Sequence, residues 1–551
     1  MKHYYNKKNI FLALIVILAI LLRLVGLGKI PPSLYTDEAN QGYNAYSVLL
    51  TGKDEHGAFL PVSFRSFGDW KPPLPTYLMI PFITLFGLNE ISVRLPSVIL
   101  GVAIVILTYL LVRELFGNTS YSPKIALTAS LLLTISPWHI LQSRAAMLVV
   151  VSLFFLEAGI YGFLKGMRKP HFLYIGSICF SLSIYSYYGM RVIIPLVVLS
   201  LFVFYSSKIK KVIKPVVASG LLAIIILLPL VFSFLKQPDV IFGRAKTVSV
   251  FYDQGTKLRQ WELIAQDGIN YPTLLARFFH NNFYMYGRDI LEHFLSHFDG
   301  RYLFREGDKA PPFQIPDMGI MYIPDGVLVL IVIFFLYKKK YPDRNLLIVW
   351  FIISFIPAAF TFMTPSSNRT FNTVVPLMIF SAVGLVYLVK FIPAKKFSSL
   401  IISILYVFFF GYFMIQYFLV LPERHANWWS FGWKEVVDYV NKEEKKYNNI
   451  VISDVDSMPY IYFLFYRQYP PERYQKEAIR TYVADRFGYE HVSGFDKYIF
   501  LEDFNLNSLK NNLQKNILYI VPASQAETGQ DFMKTVYYPD GKPFVKIFES
   551  Q

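Results

Sequence analysis

Three residues of one loop raise the chemical question. In PPSLYTDEANQGYNAYSVLLTGKDEHG, Asp37 and Glu38 stand side by side about ten residues past the first apolar run. Lys71 follows between Trp70 and Pro72, in SFRSFGDWKPPLPTYL. Adjacent carboxylates beside a membrane are costly unless they are solvated, paired or used. Two chemistries fit them: a general base that deprotonates an acceptor nucleophile, or a ligand holding a divalent metal against phosphate oxygens. The bland alternative is a solvated loop end in which Asp37 caps the following helix. Lys71 is held by two consecutive prolines that fix the backbone, and a rigidly placed ammonium suits a phosphate. Its bland alternative is a lysine reaching to the bilayer edge beside a belt tryptophan.

The elements that must position these groups are membrane helices. Of 551 residues, 54% are hydrophobic and only 17% charged, where a soluble domain carries about 25% charged residues. That balance excludes an ordinary soluble enzyme and a disordered chain. The single cysteine, Cys179, lies in an apolar run, which excludes an intrachain disulfide and a cysteine metal site. The net charge of +16 is dispersed in short clusters between apolar runs, the pattern of membrane topology and not of a nucleic-acid groove reader. No G-x-x-x-x-G-K-[ST] loop occurs, so ATP-driven transport has no support.

A spanning helix needs about 20 mostly apolar residues. The first runs from Ile10 to about Leu27 after Lys2, Lys7 and Lys8, with no small-residue cleavage site, and reads as an uncleaved span. Ten more candidates fall at 91–113, 124–139, 145–164, 171–189, 191–207, 212–235, 324–337, 345–363, 373–390 and 398–421. The proline-rich stretch 72–88 is apolar but short. If it does not span, 19 basic residues lie at inside ends against three in the short outer loops: Arg144, Arg191 and Arg369. If it spans, every later cluster flips outward, against the positive-inside rule. The stretch is therefore expected to lie on or dip into the outer face. The N-terminus falls inside and the C-terminus outside. The fold class is a polytopic α-helical membrane protein of about 11 spans, residues 1–421, with outer loops 28–90 and 236–323. A small extracytoplasmic α/β domain, 422–551, follows, with a helix-like KEVVDYV and a strand-like NIVISD.

Arginines are rare outside by topology, so Arg144, Arg191 and Arg369 each ask for an anionic partner. A lipid phosphate held by bidentate hydrogen bonds is one; loop carboxylates and ordinary headgroups are others. Tyr187 and Tyr188 adjoin Arg191. The loop 236–323 is rich in aromatics, among them Trp261, Tyr271, Phe278 and Phe283, which stack on sugars or line bilayer interfaces. His293 and His297 have helical i, i+4 spacing, but a zinc pair lacks an obvious third ligand.

The DE pair after span one, the K-P-P-L stretch and the E-x-x-x-R-L-P-S opening span two (Glu90 to Ser97) together resemble the GT-C glycosyltransferases. The likeness is nearest to family 39, the dolichyl-phosphate-mannose protein mannosyltransferase and aminoarabinose-transferase group. It covers the membrane half well and the tail loosely. The resemblance implies that Asp37 is the catalytic acid, with Glu38 beside it, and that Lys71 contacts a lipid-linked phosphate. It aligns SPWHILQSRAAM with a second outer loop where relatives often carry another acid. Here His139 and Arg144 stand instead, so a divalent metal on Asp37 would need an acid from elsewhere. In EGDKAPPF, Gly307 and Asp308 match a family GD whose following polar pair is missing. NWWSFGW (Asn427 to Trp433) faintly resembles the WWDYG signature of oligosaccharyltransferases, with Ser430 in the aspartate's place.

The expected function is transfer of one sugar from a polyprenyl-phosphate donor to a protein, lipid or glycan acceptor, on the outer face of a cytoplasmic membrane. Asp37 and Glu38 are the candidate catalytic acids. Lys71, Arg144, Arg191 and Arg369 are candidates for the donor phosphate, and His139, Tyr187, Tyr188 and Asp308 for acceptor or sugar contacts. The rival is a transporter or flippase of lipid-linked sugars, against which stand unequal loops and the lack of two related halves.

Overall fold

A computed structural model describes residues 2–117, 119–338, 343–391, 395–454, 458–485, 488–502, 516–526 and 531–549. The chain divides into two compact units. One holds Met1–Arg23, Ile99–Ser143 and Leu148–Phe413; the other holds Leu24–Val98, Arg144–Met147 and Met414–Gln551.

All eleven apolar runs expected to span carry a helix. They are Lys2–Leu24, Glu90–Leu115, Ser122–Ile135, Leu148–Gly166, His171–Ile184, Met190–Phe204, Ser206–Lys236, Ile323–Lys338, Arg344–Ile353, Phe371–Lys390 and Phe397–Arg424. Among the described residues, five are long and apolar enough to cross a membrane unaided, or six when a bent pair counts as one. The bent pair is Ser122–Ile135 with Pro137–Arg144, at 58°. Ser136 is extended (φ −61°, ψ 124°) because the ring of Pro137 disfavours the helical region for the residue before it.

In the first unit the Phe371–Lys390 and Leu148–Gly166 spans are mostly buried among other helices, while Ser206–Lys236 is only 17% buried over its apolar window. An apolar helix left that bare is a lipid-facing one. Leu148–Gly166 and His171–Ile184 meet backbone to backbone: a Cβ on Gly162 would come 2.9 Å from Gly176 Cα, the close approach that small residues allow between membrane helices.

The second unit is built on a seven-stranded sheet. Its strands, after the hairpin β1 (Phe64–Ser66) and β2 (Asp69–Lys71), are β3 (Asn449–Ser453), β4 (Ile479–Thr481), β5 (His491–Phe495), β6 (Tyr498–Leu501), β7 (Ile517–Pro522), β8 (Lys534–Tyr537) and β9 (Pro543–Glu549). Their order is β4-β5-β6-β3-β7-β9-β8, with β3 parallel to β6 and β7. The strand-like NIVIS is β3 and the KEVVDYV run lies in the Trp433–Glu443 helix. The tail does not stand apart, for the same unit takes in the first loop. The Thr36–Thr51 helix lies against Tyr460–Tyr466 so closely that a Cβ on Gly42 would sit 2.7 Å from both Phe465 and Val93. The Tyr43 hydroxyl donates to the Tyr469 carbonyl at 2.9 Å.

The 72–88 stretch forms the helix Leu74–Phe86, of 13 residues. At 1.5 Å per residue it measures about 20 Å, short of a hydrocarbon core of about 30 Å. It buries Pro75, Thr76, Met79 and Ile83 and exposes Leu85 and Phe86.

Candidate functional site

Asp37 and Glu38 lie in the first turn of the Thr36–Thr51 helix, the end of a helix where carboxylates are best tolerated. Successive helical residues point about 100° apart, so the two acids serve different neighbours. Glu38 is buried, 1% exposed. Its Oε1 accepts Arg94 Nε at 3.0 Å and the Ala146 N–H at 2.8 Å. Its Oε2 accepts Arg94 Nη2 at 3.0 Å and the Tyr35 N–H at 3.0 Å, closing a capping box. Four donors fill the acceptor sites of one carboxylate.

Asp37 is the open one of the pair. Its side chain is 44% exposed, and its Oδ1 takes the Lys71 ammonium in an ion pair. Lys71 is almost wholly buried. It ends the β1–β2 hairpin, whose register (Phe64 opposite Lys71, Ser66 opposite Asp69) leaves Phe67–Gly68 as a two-residue turn. Both turn residues have positive φ, 52° and 85°, the primed turn that suits hairpin twist. The hairpin is fastened at its tip: Arg65 Nε donates to Glu490 Oε2 at 3.0 Å, and the Glu490 N–H reaches the Phe67 carbonyl at 3.3 Å. The Lys71 ammonium also sits 5.2 Å from the Phe67 ring centre.

Arg144 belongs to the same unit. It is fully buried, donates from Nη2 to the Ile30 carbonyl at 2.9 Å, and lies over the Tyr417 and Phe418 rings at 5.6 and 4.9 Å. Asp37, Glu38, Lys71 and Arg144 thus fall in one compact body. Glu55 holds the Thr36–Thr51 helix one and two turns beyond Asp37. Its Oε1 accepts Asn40 Nδ2 at 2.7 Å and Asn44 Nδ2 at 3.0 Å, and burial pushes its carboxyl up to about 7.

The other candidates belong to the helical unit, and each has partners there. Arg191 donates from Nη1 to the Val240 carbonyl at 2.9 Å and stacks on Tyr188 at 5.5 Å; Tyr187 is buried. Arg369 donates from Nη1 to Thr361 Oγ1 at 2.6 Å and the Met363 carbonyl at 2.9 Å. Asp308 is buried and clamps the loop that carries Arg369. Its Oδ2 accepts the Ser367 N–H at 2.6 Å and the Ser367 hydroxyl at 2.9 Å, while Oδ1 accepts the Ala310 N–H at 2.9 Å. His297 joins the clamp, accepting the Ser366 N–H on Nε2 at 3.1 Å. Burial pushes its imidazole down to about 4, which keeps that nitrogen an acceptor. His139 is fully buried, bonded through Nδ1 to Arg23 Nη2 at 2.6 Å and stacked on Phe371.

Among the described residues no group of three or more His, Cys, Asp or Glu is arranged to hold a metal ion. Both oxygens of Glu38, the acid next to Asp37, are committed to Arg94 and backbone N–H groups. The donor set does not fit a metal, and no step is derived through one.

The residue that sequence reasoning left without a role is Arg94. It sat in the E-x-x-x-R-L-P-S run, and that run was the available signal. Beyond Glu38, its guanidinium reaches the Leu27, Pro31 and Ser33 carbonyls and faces the Trp429 ring at 5.9 Å. The NWWSFGW segment thereby supplies a wall for Arg94.

Residues 70–232 match the family model described as dolichyl-phosphate-mannose-protein mannosyltransferase. An uncharacterized protein of Aquifex aeolicus is 32% identical over 145 residues, 24% of this chain and 28% of its own. YkcB of Bacillus subtilis, provisionally named a mannosyltransferase, is 26% identical over 146 residues, 26% of this chain and 20% of its own. The match therefore spans under a third of each relative. Among solved structures, apo ArnT from Cupriavidus metallidurans superposes with a TM-score of 0.56 at 10% identity, covering 97% of both chains. The same protein bound to undecaprenyl phosphate gives 0.54 at 12%, again over 97% of both chains. The archaeal oligosaccharyltransferase AglB from Archaeoglobus fulgidus, in complex with an inhibitory peptide and a dolichol-phosphate, gives 0.50 at 15%, covering 84% of this chain and 64% of its own. At such low identity the likeness establishes the fold alone: the chain shares the GT-C fold of these membrane proteins.

Proposed function

We propose that this GT-C membrane protein is a glycosyltransferase that moves one sugar from a polyprenyl-phosphate donor to an acceptor hydroxyl at the outer face of the membrane. The observation that carries the reading is the Asp37–Lys71 pair: a half-exposed carboxylate at a helix start, bonded to an ammonium fixed by a prolyl-backed hairpin. In the proposed step, Asp37 takes the proton of the acceptor hydroxyl. The hydroxyl oxygen bonds to the anomeric carbon as the carbon–oxygen bond to phosphate breaks. The polyprenyl phosphate leaves with the electron pair, and Lys71, with Arg144 as a second cation, neutralises it. The sugar–phosphate bond supplies the driving force, so no ATP is consumed. Glu38 acts in this scheme as a positioning residue. Its four bonds fix the helix turn from which Asp37 projects. Arg191, Arg369, Tyr187 and Tyr188 are proposed as donor- or acceptor-binding groups of the helical unit, each tested by its own substitution, and Asp308 holds the loop that carries Arg369.

The test uses full-length protein in lipid vesicles with a panel of polyprenyl-phosphate hexoses and pentoses, following release of free polyprenyl phosphate and sugar transfer. Asp37→Asn is isosteric and partly exposed, so folding is retained. Loss of transfer with normal thermal stability supports the base; unchanged transfer overturns it. A protein that carries the donor across the bilayer without consuming it is a flippase, and the enzyme reading then fails.

A further inference from the structure

The segment between the bare Ser206–Lys236 span and residue 300 is built inside out. Three helices, Gln254–Asp267, Thr273–Phe279 and Asn282–Ser296, hold one another through polar contacts. Asp289, buried, accepts the Thr256 hydroxyl at 2.8 Å and pairs with Arg259. Gln260 Nε2 reaches the His280 carbonyl at 2.7 Å and Asn282 Oδ1 at 2.9 Å, and His280 Nε2 meets Asp267 Oδ2 at 2.7 Å. The large apolar side chains are turned out instead. Trp261 is 62% exposed, Ile269 83%, Leu274 84%, Phe278 69% and Phe283 91%. Within Thr273–Phe279 only Ala276 is buried. Leu274 and Phe278 are i, i+4 neighbours, as are Leu291 and Leu295 on the next helix, so each pair shares a helix face.

A loop in water arranges itself the other way, and contiguous apolar surface of this kind marks a protein or membrane contact. Two observations choose the membrane. The segment continues directly from a span that presents its apolar side chains outward, joined by edge-on contact of Phe234 and Phe242 at 5.5 Å. Its helices, of 14, 7 and 15 residues, are about 10 to 23 Å long, too short to cross. Helices with an aromatic and aliphatic face and a polar face lie in the interface plane. We infer that residues 254–296 form a platform lying in the interfacial layer of the bilayer that holds the spans, with Trp261, Leu274, Phe278 and Phe283 among the acyl-chain ends.

The test uses the full chain in nanodiscs. In a Cys179→Ser background, single cysteines Leu274→Cys and Phe283→Cys carry an environment-sensitive fluorophore, and an exposed cysteine at Lys445→Cys serves as the aqueous control. Blue-shifted emission, quenched by lipids bearing a nitroxide near the glycerol end of the acyl chain and shielded from aqueous iodide, is expected at both platform sites and not at the control. Iodide quenching equal to the control overturns the inference. So does shielding that appears only at high protein-to-lipid ratio, which would make the surface a contact with a second copy, or only on adding a protein acceptor. None of these readouts requires catalysis, so failure of the enzyme reading leaves the inference standing.

Discussion

Arg94 grips Glu38 with two parallel bonds, Nε to Oε1 and Nη2 to Oε2, both 3.0 Å long, and neither side chain sees solvent. This fork is the planar pairing that guanidinium makes with carboxylate. It ties the start of the second span to the helix turn that carries Asp37.

Breaking one side of a buried pair strands the other charge, at a cost of about 3–5 kcal/mol. Arg94→Met is therefore expected to lower thermal stability sharply, with loss of transfer following. Arg94→Lys keeps the charge but not the fork and should fall between. Thermal unfolding of the purified protein, followed by tryptophan emission, measures both. A stability equal to the parent's for Arg94→Met would remove Glu38 from its positioning role.

Lys71→Met deletes the ammonium beside Asp37 and keeps most of the stem's packing. Transfer should drop about 100- to 1,000-fold, the range seen when one donor to a developing anion is lost, while thermal stability changes little. Lys71→Arg should restore part of the rate. Donor titration on each variant reads whether the loss lies in binding or in turnover.

Asp308→Ala leaves the N–H groups of Ser367 and Ala310 without their acceptor, about 1–3 kcal/mol for each buried group. The loop Ser366–Arg369 should loosen, and amide hydrogen exchange across 365–370 should quicken. Asp308→Asn still presents a carbonyl oxygen and should restore much of the protection. Exchange that is unchanged in the alanine variant would remove the clamp.

Glu55 supplies a pH dependence whose sign follows from linkage. Burial raises its carboxyl from an ordinary 4.5 to about 7, so the folded chain binds this proton more tightly than the unfolded one. Its contribution is full below about 4.5 and is lost as pH climbs to about 7, a change of about 3 kcal/mol. Glu55→Gln keeps an oxygen for Asn40 and Asn44 and removes the titration. Thermal stability measured from pH 4.5 to 7 should fall less in the variant than in the parent; parallel curves would contradict the assignment.

Lys71 shows how far the linear reading reached. Its type and its prolines suggested a rigidly held cation. The structure puts it at the end of a hairpin, three residues before the first residue of the helix Leu74–Phe86. The cause is the Phe67–Gly68 turn, where two short strands pair; runs of three residues leave little periodicity to read. Glu38 is similar. Its neighbour in sequence is Asp37, but its partner, Arg94, lies 56 residues away.

By itself the sequence determined the apolar helices and their membrane character, and it placed the acid pair in the outer loop just past the first of them. Those are local matters: an apolar run in a membrane must satisfy its own backbone hydrogen bonds, and only a helix does so within one segment. The tertiary structure alone decided which acid is tied up and which is open, which lysine meets it, and that Asp308 serves a loop. Such pairings depend on which faces of distant segments meet, and a charged group turned a hundred degrees around a helix exchanges solvent for a buried partner without any change in the residues beside it.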